Sequence, residues 1–392
     1  EVNAPATRTY EHCVKWIELG HKVTVITCFP NFPKGIIFEG YKNRLYKKES
    51  IDGINVIRVW SYITKSKGFL SQIVDYLSYC FSSIIAGIFV KTDIIIATSP
   101  QFFTAVSGRI LSFLKGKPWV MEVRDLWPDS IVVVGYMNKK SIAFRILKRI
   151  EHHLYLNAQK IIVVTDSFKK YLIEKHFIPS EKIGVFKNGV LVNKFKKIDS
   201  EKLSKLKESL GLKNKIVISF LGTHGLAHAL RFILDSISKI KDTKYHFLFV
   251  GDGSDKEALL KYSQTLDSNN FTFLKSVAKN EMPLYIDISD YSLVNLKKSD
   301  EFENVIPSKI FENIAMYKPI LLGVEGEAKE LIEKYKVGIA FEPENTDSFI
   351  NAISEIEQIN HEDFIANCDK MLKDFNRNKI AEKMINFIEI NN

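Results

Sequence analysis

Short apolar runs alternate with amphipathic segments along most of the chain. Residues 93–98 are apolar without alternation, as is typical of a strand buried on both faces of a parallel sheet. Helical spacing of apolar positions predicts helices at residues 7–19, 70–90, 103–114 and 141–157. Further strands are predicted at residues 21–27, 54–59, 118–123, 160–165, 216–221, 245–250, 272–274, 291–294 and 319–322. This order predicts an α/β protein with parallel, doubly wound sheets.

The alternation occurs in two series, which predicts two domains. Between them lies the turn Asn188-Gly189-Val190, followed by a basic and polar connector at residues 194–215. We place one Rossmann-like domain at residues 1–188 and a second at residues 189–372. Ligands of such sheets bind beyond the carboxyl ends of the strands, so we expect a ligand in a cleft between the domains.

The composition narrows the range of partners. Of the 392 residues 46% are hydrophobic, which supports substantial cores, and the formal net charge is +9. That charge favours acidic partners such as nucleotide phosphates, a phospholipid surface or nucleic acid. Nucleic acid is disfavoured, because the basic residues are spread along the chain and no recognition motif is present.

The cysteines indicate the compartment. The four are far apart in sequence and form no metal or redox spacing: Cys13, Cys28, Cys80 and Cys368. A reduced, cytosolic environment is favoured. Residues 76–90 form the longest uncharged apolar run, which is shorter than the stretch of about 20 residues that a bilayer requires. The chain begins in a segment typical of a loop, and we expect a short first strand upstream.

An acidic loop, a proline and a short helix follow one another at residues 302–319. Pro307 suits the entry to the helix, and Pro319 suits its exit. Ser308 is the predicted N-cap.

Lys309, Glu312 and Asn313 are three to four residues apart, so they are predicted to share one face of that helix. A cation, a carboxylate and unpaired backbone N–H groups would then meet at one helix N-terminus, which favours a phosphate. The alternative is an amphipathic surface helix with a chance Lys309–Glu312 pair, and this segment alone does not decide between the two.

Two glycine-containing turns follow strands of the second domain, Gly222-Thr223-His224-Gly225 and Gly251-Asp252-Gly253. Glycine lets the backbone approach a ligand, and the amides that follow can meet a phosphate. In many such turns glycine serves only the local geometry. A lone histidine such as His224 is more often satisfied within its own loop, and His228 can equally be a packing residue.

Charged residues also end a strand of the first domain, in the run Glu122-Val123-Arg124-Asp125-Leu126-Trp127-Pro128-Asp129. Arg124 can hold an anion, and Asp125 can accept a hydrogen bond from a sugar hydroxyl or act as a base. The alternative is a structural Arg124–Asp125 pair that fixes the loop. Trp127 is more often a core residue than a platform for a ligand.

Over nearly its whole length the chain resembles the retaining, metal-independent GT-B glycosyltransferases. Within them it is most similar to the bacterial N-acetyl-L-fucosamine transferases. The segments that carry the resemblance are Glu1-Val2-Asn3-Ala4-Pro5-Ala6-Thr7-Arg8, Gly20-His21-Lys22-Val23-Thr24-Val25, Glu122 to Ser130, Asn188-Gly189-Val190, Gly222-Thr223-His224-Gly225 and Ile306-Pro307-Ser308-Lys309-Ile310-Phe311-Glu312.

The resemblance implies a nucleotide-sugar donor, with UDP as the first candidate nucleotide, held mainly by the second domain. Lys309 and the amides near Ser308 would meet the diphosphate, and Glu312 would bind the ribose. The donor-binding residues implied are Asn3, Arg8, Gly222, Thr223, His224, Gly225, Gly251, Asp252, Ser308, Lys309 and Glu312. The catalytic residues implied are Arg124, Asp125, Lys309 and Glu312.

Four positions depart from the family pattern. Asn304 stands where the first glutamate of the paired-glutamate motif is usual, although Glu303 is adjacent. Thr223 and His224 replace an arginine and a lysine, which places more of the phosphate binding on Lys309. Arg124 stands where many relatives have a histidine.

The mechanism implied is transfer with retention, by front-face attack in which the leaving diphosphate helps to take the proton. No metal and no cofactor are expected. Residues 373–392 would form a helix that crosses back to the first domain. The implied acceptor is a lipid-linked sugar in O-antigen or capsule synthesis, the transferred sugar an N-acetylated 6-deoxyhexose, and the location the inner face of the plasma membrane.

Two other functions remain open at this point. A non-hydrolysing nucleotide-sugar epimerase would convert the donor alone into an isomer. A non-catalytic nucleotide-sugar-binding protein would bind the donor and release no nucleotide. The apolar helix at residues 70–90 suggests a membrane surface as a partner, and its alternative is simple core packing.

Overall fold

The computed structural model describes residues 4–31, 35–65, 68–99, 101–133, 135 and 137–389. The chain forms two compact units. The first unit comprises Asn3–Lys187 with Asn378–Asn392, and the second unit comprises Asn188–Arg377. The predicted boundary lies one residue from this division.

The first unit contains seven described helices and seven described strands. In chain order they are α1 (Ala4–Glu18), β1 (Thr24–Cys28), β2 (Tyr46–Ile51), β3 (Ile54–Val59), α2 (Phe69–Ile88), β4 (Ile95–Thr98), α3 (Phe102–Lys115), β5 (Trp119–Val123), α4 (Asp129–Val133), α5 (Ile142–Asn157), β6 (Lys160–Val163), α6 (Asp166–His176), β7 (Ile183–Val185) and the last helix, α15 (Arg377–Glu389). No helix in the described part of the chain is both long and apolar enough to cross a membrane.

The strands of the first unit form two sheets, with the orders β1-β3-β2 and β4-β5-β6-β7. The four-stranded sheet is parallel throughout. The strand β2 was not predicted, and it pairs antiparallel with β3. The turn between them is Asp52-Gly53, where φ is +47° and +81°. Asp-Gly is a hairpin sequence because both positions tolerate positive φ, so this signal was present in the sequence.

The last helix packs in the first unit. Ala381 and Met384 of α15 are buried together with Trp16 of α1 and Val120 of β5. The indole Nε1 of Trp16 donates a hydrogen bond of 2.8 Å to the carbonyl oxygen of Ala381. The first and last described helices, α1 and α15, therefore share one hydrophobic core.

The second unit contains eight helices and six strands among its described residues. They are α7 (Ser200–Ser209), β8 (Ile216–Leu221), α8 (Leu230–Ile237), β9 (Tyr245–Val250), α9 (Lys256–Ser263), β10 (Phe271–Leu274), α10 (Met282–Asp287), β11 (Tyr291–Asn295), α11 (Lys309–Ala315), β12 (Ile320–Gly323), α12 (Glu327–Tyr335), β13 (Gly338–Ala340), α13 (Thr346–Ile356) and α14 (His361–Asp374).

The sheet of the second unit is parallel, with the order β10-β9-β8-β11-β12-β13. The chain runs outward from β8 through β9 to β10, and then returns to place β11 on the other side of β8. Aromatic side chains such as Phe220, Phe247 and Phe249 fill one face of the sheet. The direction of winding reverses between β8 and β11, and in open α/β sheets ligands bind at such a reversal.

Candidate functional site

The two glycine turns of the second unit pack backbone against backbone. Gly222 follows β8 and Gly251 follows β9, and the Gly222 amide donates to the Val250 carbonyl at 2.8 Å. A Cβ at Gly251 would lie 1.7 Å from the Gly222 carbonyl oxygen, and a Cβ at Gly253 would lie 2.3 Å from that of His224. The close approach of the two turns therefore requires glycine at positions 251 and 253, independently of any role in ligand binding.

Gly225 differs from the other three glycines. The nearest atoms to a Cβ placed there are 3.7 Å and 3.8 Å away, on Thr223 and Ser254. The packing of the described residues thus leaves room for a side chain at Gly225. Thr223 and Asp252 are exposed at the tips of the two turns, and the Asp252 carboxylate accepts a hydrogen bond from the Gly253 amide at 2.9 Å.

His224 is fully buried, with its ring near Phe220, Phe249 and Phe273 at centroid distances of 5.8 to 6.5 Å. Neither ring nitrogen has a hydrogen-bond partner in the described part of the chain. Burial, together with Lys256 and Lys309, lowers the pKa of His224 to about 4, so its ring is neutral near pH 7. An unpartnered, buried N–H is costly unless something bonds to it.

His228 and Asn295 were not predicted as a pair. The Asn295 amide donates to the His228 carbonyl at 2.8 Å, and His228 Nδ1 lies 3.2 Å from the Asn295 carbonyl. Asn295 ends β11, beside β8, and its Oδ1 is buried without a partner among the described residues. A polar residue directly after the apolar run of β11 was the signal that the sequence offered.

Lys309 lies beside these turns. Its Nζ is 3.6 Å from the centroid of the Phe220 ring, and a Cβ at Gly222 would lie 2.9 Å from its Cε. Within the described residues the ammonium has no hydrogen-bond or ion-pair partner. Burial lowers the pKa of Lys309 to about 7, against the opposing effect of Glu312. Near neutral pH the side chain therefore gains charge readily when an anion approaches.

The ends of α11 correct two predictions. Ser308 occupies the N-cap position, but its side chain makes no cap hydrogen bond. The helix ends at Ala315, four residues before Pro319, because Tyr317 adopts a φ of +53°. The Tyr317 amide then donates to Ile314 and the Lys318 amide to Asn313. A left-handed residue, and not the proline, terminates this helix.

Asn313 corrects a third prediction. It is buried, and its amide donates to the carbonyl oxygen of Lys309 at 2.8 Å. It therefore belongs to the packed side of α11 with Ile310 and Ile314. Glu312 is half-buried one turn after Lys309, so these two residues do share a face.

In the first unit the end of β5 is built around a buried ion pair. Arg8 of α1 is 1% exposed, and its Nε lies 2.9 Å from Oε1 of Glu122. Its other nitrogens donate to the carbonyls of Lys187 at 3.1 Å and Phe186 at 2.8 Å. Burial alone would raise the pKa of Glu122, but Arg8 and Arg124 hold it below its ordinary value. Arg8 thus connects α1, β5 and the residues that end the first unit. Its contact with a nucleotide-sugar donor stays a prediction.

Arg124 and Asp125 follow directly. Ser99 Oγ accepts a hydrogen bond from the Arg124 amide at 2.8 Å. Burial raises the pKa of Asp125 to about 6, although Arg124 opposes the shift. The charges of Arg124 and Asp125 act on each other's pKa, although no direct ion pair joins these two described residues. Asn3, the remaining predicted donor contact, lies outside the described residues.

The rest of this run is anchored by packing and by a second cluster of charges. Trp127 is half-buried, and its ring stacks on that of Phe102 with the centroids 6.3 Å apart. Asp129 accepts hydrogen bonds from Lys148 at 2.9 Å and from Tyr171 at 3.1 Å, and neither partner was predicted. These contacts hold the segment that carries Asp125 against α5 and α6. Among the described residues no group of three His, Cys, Asp or Glu side chains could hold a metal ion.

The predicted residues of the second unit therefore form one cluster. Gly222, His224, Gly251 and Lys309 contact one another or lie within a few ångströms. The cluster consists of a lysine without an ion pair among the described residues, two neutral histidines and turn backbone, at the carboxyl ends of β8 and β9. Such a site can bind an oxyanion by electrostatics and hydrogen bonding without a metal.

Comparison with known proteins places two family matches on the chain. The family described as "Glycosyl transferase 4-like domain" matches residues 3–189, and "Glycosyl transferases group 1" matches residues 215–358. The chain is 25% identical over 352 residues to WcaI of Escherichia coli K12, which is assigned to colanic acid biosynthesis as a glycosyl transferase. That match covers 87% of this chain and 86% of WcaI.

Solved structures agree in fold. Sucrose-phosphate synthase of Thermosynechococcus elongatus superposes with a TM-score of 0.75 at 14% identity, over 98% of this chain and 93% of that one. Anabaena HepE, solved in complex with UDP, gives 0.65 at 18% identity, over 86% and 85% of the two chains. These neighbours have the GT-B fold, and the predicted fold class is confirmed.

Proposed function

We propose that this chain, which belongs to the glycosyltransferases of group 1, moves a sugar from a UDP-linked donor to a lipid-linked acceptor with retention of anomeric configuration. The acceptor would be an intermediate of a bacterial surface polysaccharide at the inner face of the plasma membrane. The assignment of WcaI to colanic acid biosynthesis supports the pathway class, and the UDP bound to HepE supports the nucleotide.

The observation that carries this proposal is the environment of Lys309. Its ammonium lies on Phe220 and against Gly222, without a counter-ion among the described residues, and burial lowers its pKa to about 7. A diphosphate would supply the missing negative charge. Lys309 would then be held in its protonated form and would stabilise the charge that grows on the leaving group.

His224 fits the same ligand in a different way. Because it is neutral near pH 7 and its ring nitrogens have no partner among the described residues, it would donate a single hydrogen bond and add no charge. His228 is neutral as well, but its Nδ1 faces the Asn295 carbonyl at 3.2 Å, so its one N–H is already used there. Glu312, on the same face of α11 as Lys309, would accept hydrogen bonds from the ribose hydroxyls. The charge of Lys309 and uncharged hydrogen bonds would thus take the place of the arginine and lysine that the family more often has at the positions of Thr223 and His224.

In the transfer step an acceptor hydroxyl oxygen would attack the anomeric carbon on the face that the diphosphate leaves. The bond from that carbon to the diphosphate oxygen breaks, and the hydroxyl proton passes to a diphosphate oxygen. Asp125, with a pKa raised to about 6, is ionised at neutral pH and would orient a sugar hydroxyl. Arg124 would add positive charge nearby.

The test is nucleotide binding and nucleotide release in the presence of a chelator. We expect UDP to raise the melting temperature more than GDP or ADP does, because it alone matches the donor. We expect UDP to be released from a UDP-N-acetyl-6-deoxyhexose only when a lipid-linked saccharide is present. Retention is checked by NMR of the anomeric proton in the product.

Two other outcomes would replace the proposal. Conversion of the donor alone into an isomer would indicate an epimerase, and binding without nucleotide release from any acceptor would indicate a binding protein. A requirement for a divalent cation would refute the metal-independent mechanism.

A further inference from the structure

The outer surface of α2 is apolar along its whole described length. Five residues at helical spacing of three or four are exposed, and all are apolar: Val74, Leu77, Phe81, Ile85 and Ile88. Phe89 extends the row at 83% exposure, and Phe81 is 68% exposed. We call these six residues the α2 stripe. Surface helices normally present polar residues to water, so this face is the reverse of the usual pattern.

The opposite side of α2 is already occupied. Tyr79 OH donates to the carbonyl of Ile26 at 2.9 Å, and Ser83 and Gly87 are buried. A Cβ at Gly87 would lie 2.5 Å from Leu111 of α3, which shows how closely these two helices pack. The core of the first unit therefore uses the other side of α2 and leaves the α2 stripe uncovered within that unit.

The neighbouring helix α3 adds exposed apolar residues. Ile110, Phe113 and Leu114 are exposed near its carboxyl end, with Phe113 at 74%. Lys115 Nζ donates to the carbonyl of Ile88 at 2.8 Å, so the carboxyl ends of α2 and α3 meet. Apolar side chains on two adjacent helices form one large patch, and patches of this kind mark interaction sites.

Charge identifies the partner. The helices α2, α3 and α5 together contain two acidic residues, and neither is exposed: Asp75 is half-buried and Glu151 is buried. Their cations include Arg109 and Lys115 on α3 and the exposed Arg145 and Arg149 on α5. Arg109 donates to Asn157 Oδ1 at 3.3 Å, so the carboxyl end of α5 lies beside α3. Arg109 itself lies over the ring of the exposed Phe113 at 5.8 Å, so this cation borders the apolar patch. The surface is apolar with cationic flanks and lacks exposed carboxylates on all three helices.

We propose that the α2 stripe and the adjoining end of α3 dock on an anionic phospholipid bilayer, with α2 lying in the plane of the interface. Apolar side chains would enter the headgroup region while the arginines and lysines meet lipid phosphates. A second copy of this chain fits less well. A two-fold interface through the same face would bring the same cations of both copies together.

The test is co-sedimentation of the full chain with vesicles of phosphatidylcholine, with and without phosphatidylglycerol. The wild type binds the vesicles that contain phosphatidylglycerol, and high salt reverses the binding. Leu77→Gln/Phe81→Gln/Ile85→Gln weakens the binding by about ten-fold or more, since three apolar side chains no longer leave water. Arg109→Gln/Lys115→Gln, which removes the two cations that border the patch, weakens it by about five-fold per cation at low salt.

The control is Leu45→Gln/Phe177→Gln, which removes two apolar residues of the first unit that are each 83% exposed and lie outside α2, α3 and α5, and which leaves binding unchanged. Circular dichroism and thermal unfolding show whether each variant is folded. Wild-type binding by the folded triple variant overturns the proposal, and so does equal binding to neutral and anionic vesicles. A dimer that the triple variant abolishes, with no vesicle binding, assigns the face to a second copy instead. The assay contains no donor, so its failure leaves the transfer proposal standing.

Discussion

The two units place charged residues at the carboxyl ends of their sheets in opposite ways. In the first unit, Arg8 and Glu122 are buried and paired at 2.9 Å, and the pKa of Glu122 stays below its ordinary value. In the second unit, Lys309 lies on an aromatic ring without a counter-ion in the described chain, and its pKa falls to about 7. A buried charge with a built-in partner is neutralised within the fold and is costly only when that partner is lost, whereas a charge without a partner is available to a ligand.

The largest expected effect is on the paired charge. Arg8→Met leaves the Glu122 carboxylate buried without its main counter-ion, so we expect the free energy of unfolding to fall by about 3–5 kcal/mol. The double variant Arg8→Met/Glu122→Leu recovers most of this loss, because neither charge remains. Denaturant unfolding measures both, and Lys205→Met, which breaks the exposed pair with Glu201, serves as a control that changes little. A small effect of Arg8→Met would mean that the pair is not structural.

For Lys309, which has no ion pair among the described residues, we expect the opposite effect on stability. Lys309→Met lowers transfer by about 10²–10³-fold, because the growing charge on the diphosphate loses its main partner. The same change stabilises the unliganded fold by about 1–4 kcal/mol, since a desolvated cation is replaced by an apolar chain of similar length. Glu312→Ala likewise lowers transfer by orders of magnitude.

Steady-state rates and unfolding curves should be measured on the same preparations, with Lys261→Met on α9 as the exposed control. Near-normal transfer by both Lys309→Met and Glu312→Ala would remove the donor site from this cluster. A fall in both stability and rate would instead place Lys309 among the structural charges with Arg8.

The effect of replacing Asp125 tests whether the first unit also contains a charged residue that contacts a ligand. Its pKa is raised to about 6, so kcat/KM should fall below that pH as the carboxylate becomes protonated. Asp125→Asn should lower transfer by about 10²-fold and remove this acid limb from the pH profile. Asp93→Asn, an exposed residue of the same unit, is the control. An unchanged acid limb in Asp125→Asn would assign the titration to another group.

The smallest effect is the pH dependence of UDP binding. Above pH 7 Lys309 loses its proton, so the ratio of wild-type to Lys309→Met affinity should fall by up to about ten-fold per pH unit. The protonation of UDP affects both proteins equally, so it does not change the ratio of their two affinities. The stability of the unliganded protein should move oppositely. The unfolded chain holds more protons than the folded one between pH 7 and the ordinary lysine pKa of 10.5, so this group's contribution rises with pH. Calorimetry and thermal unfolding at several pH values would measure both slopes, and parallel slopes would contradict the assignment.

Much of the fold was predictable because its signals are local. The apolar runs of β4, β8 and β9 and the glycines after β8 and β9 placed parallel strands and their turns before any tertiary contact was known. The hairpin of β2 was missed although Asp52-Gly53 signals it, since a strand whose residues alternate in exposure is weakly apolar. The end of α11 was misplaced because Tyr317 takes a positive φ that its residue type does not announce.

The sequence by itself determined the α/β class, the two units and the presence of Lys309 and Glu312 on one helix face, because spacing and composition are enough for these. Only the tertiary structure decided what each charge does. Arg8 and Glu122 are 114 residues apart in sequence, and Phe220 and Lys309 are 89 residues apart. Both contacts form only because of the way in which the chain winds through its sheets. Likewise, the apolar periodicity of a helix is the same whether a given face packs on a core or contacts water. Only the packing of the first unit therefore showed that the α2 stripe is exposed.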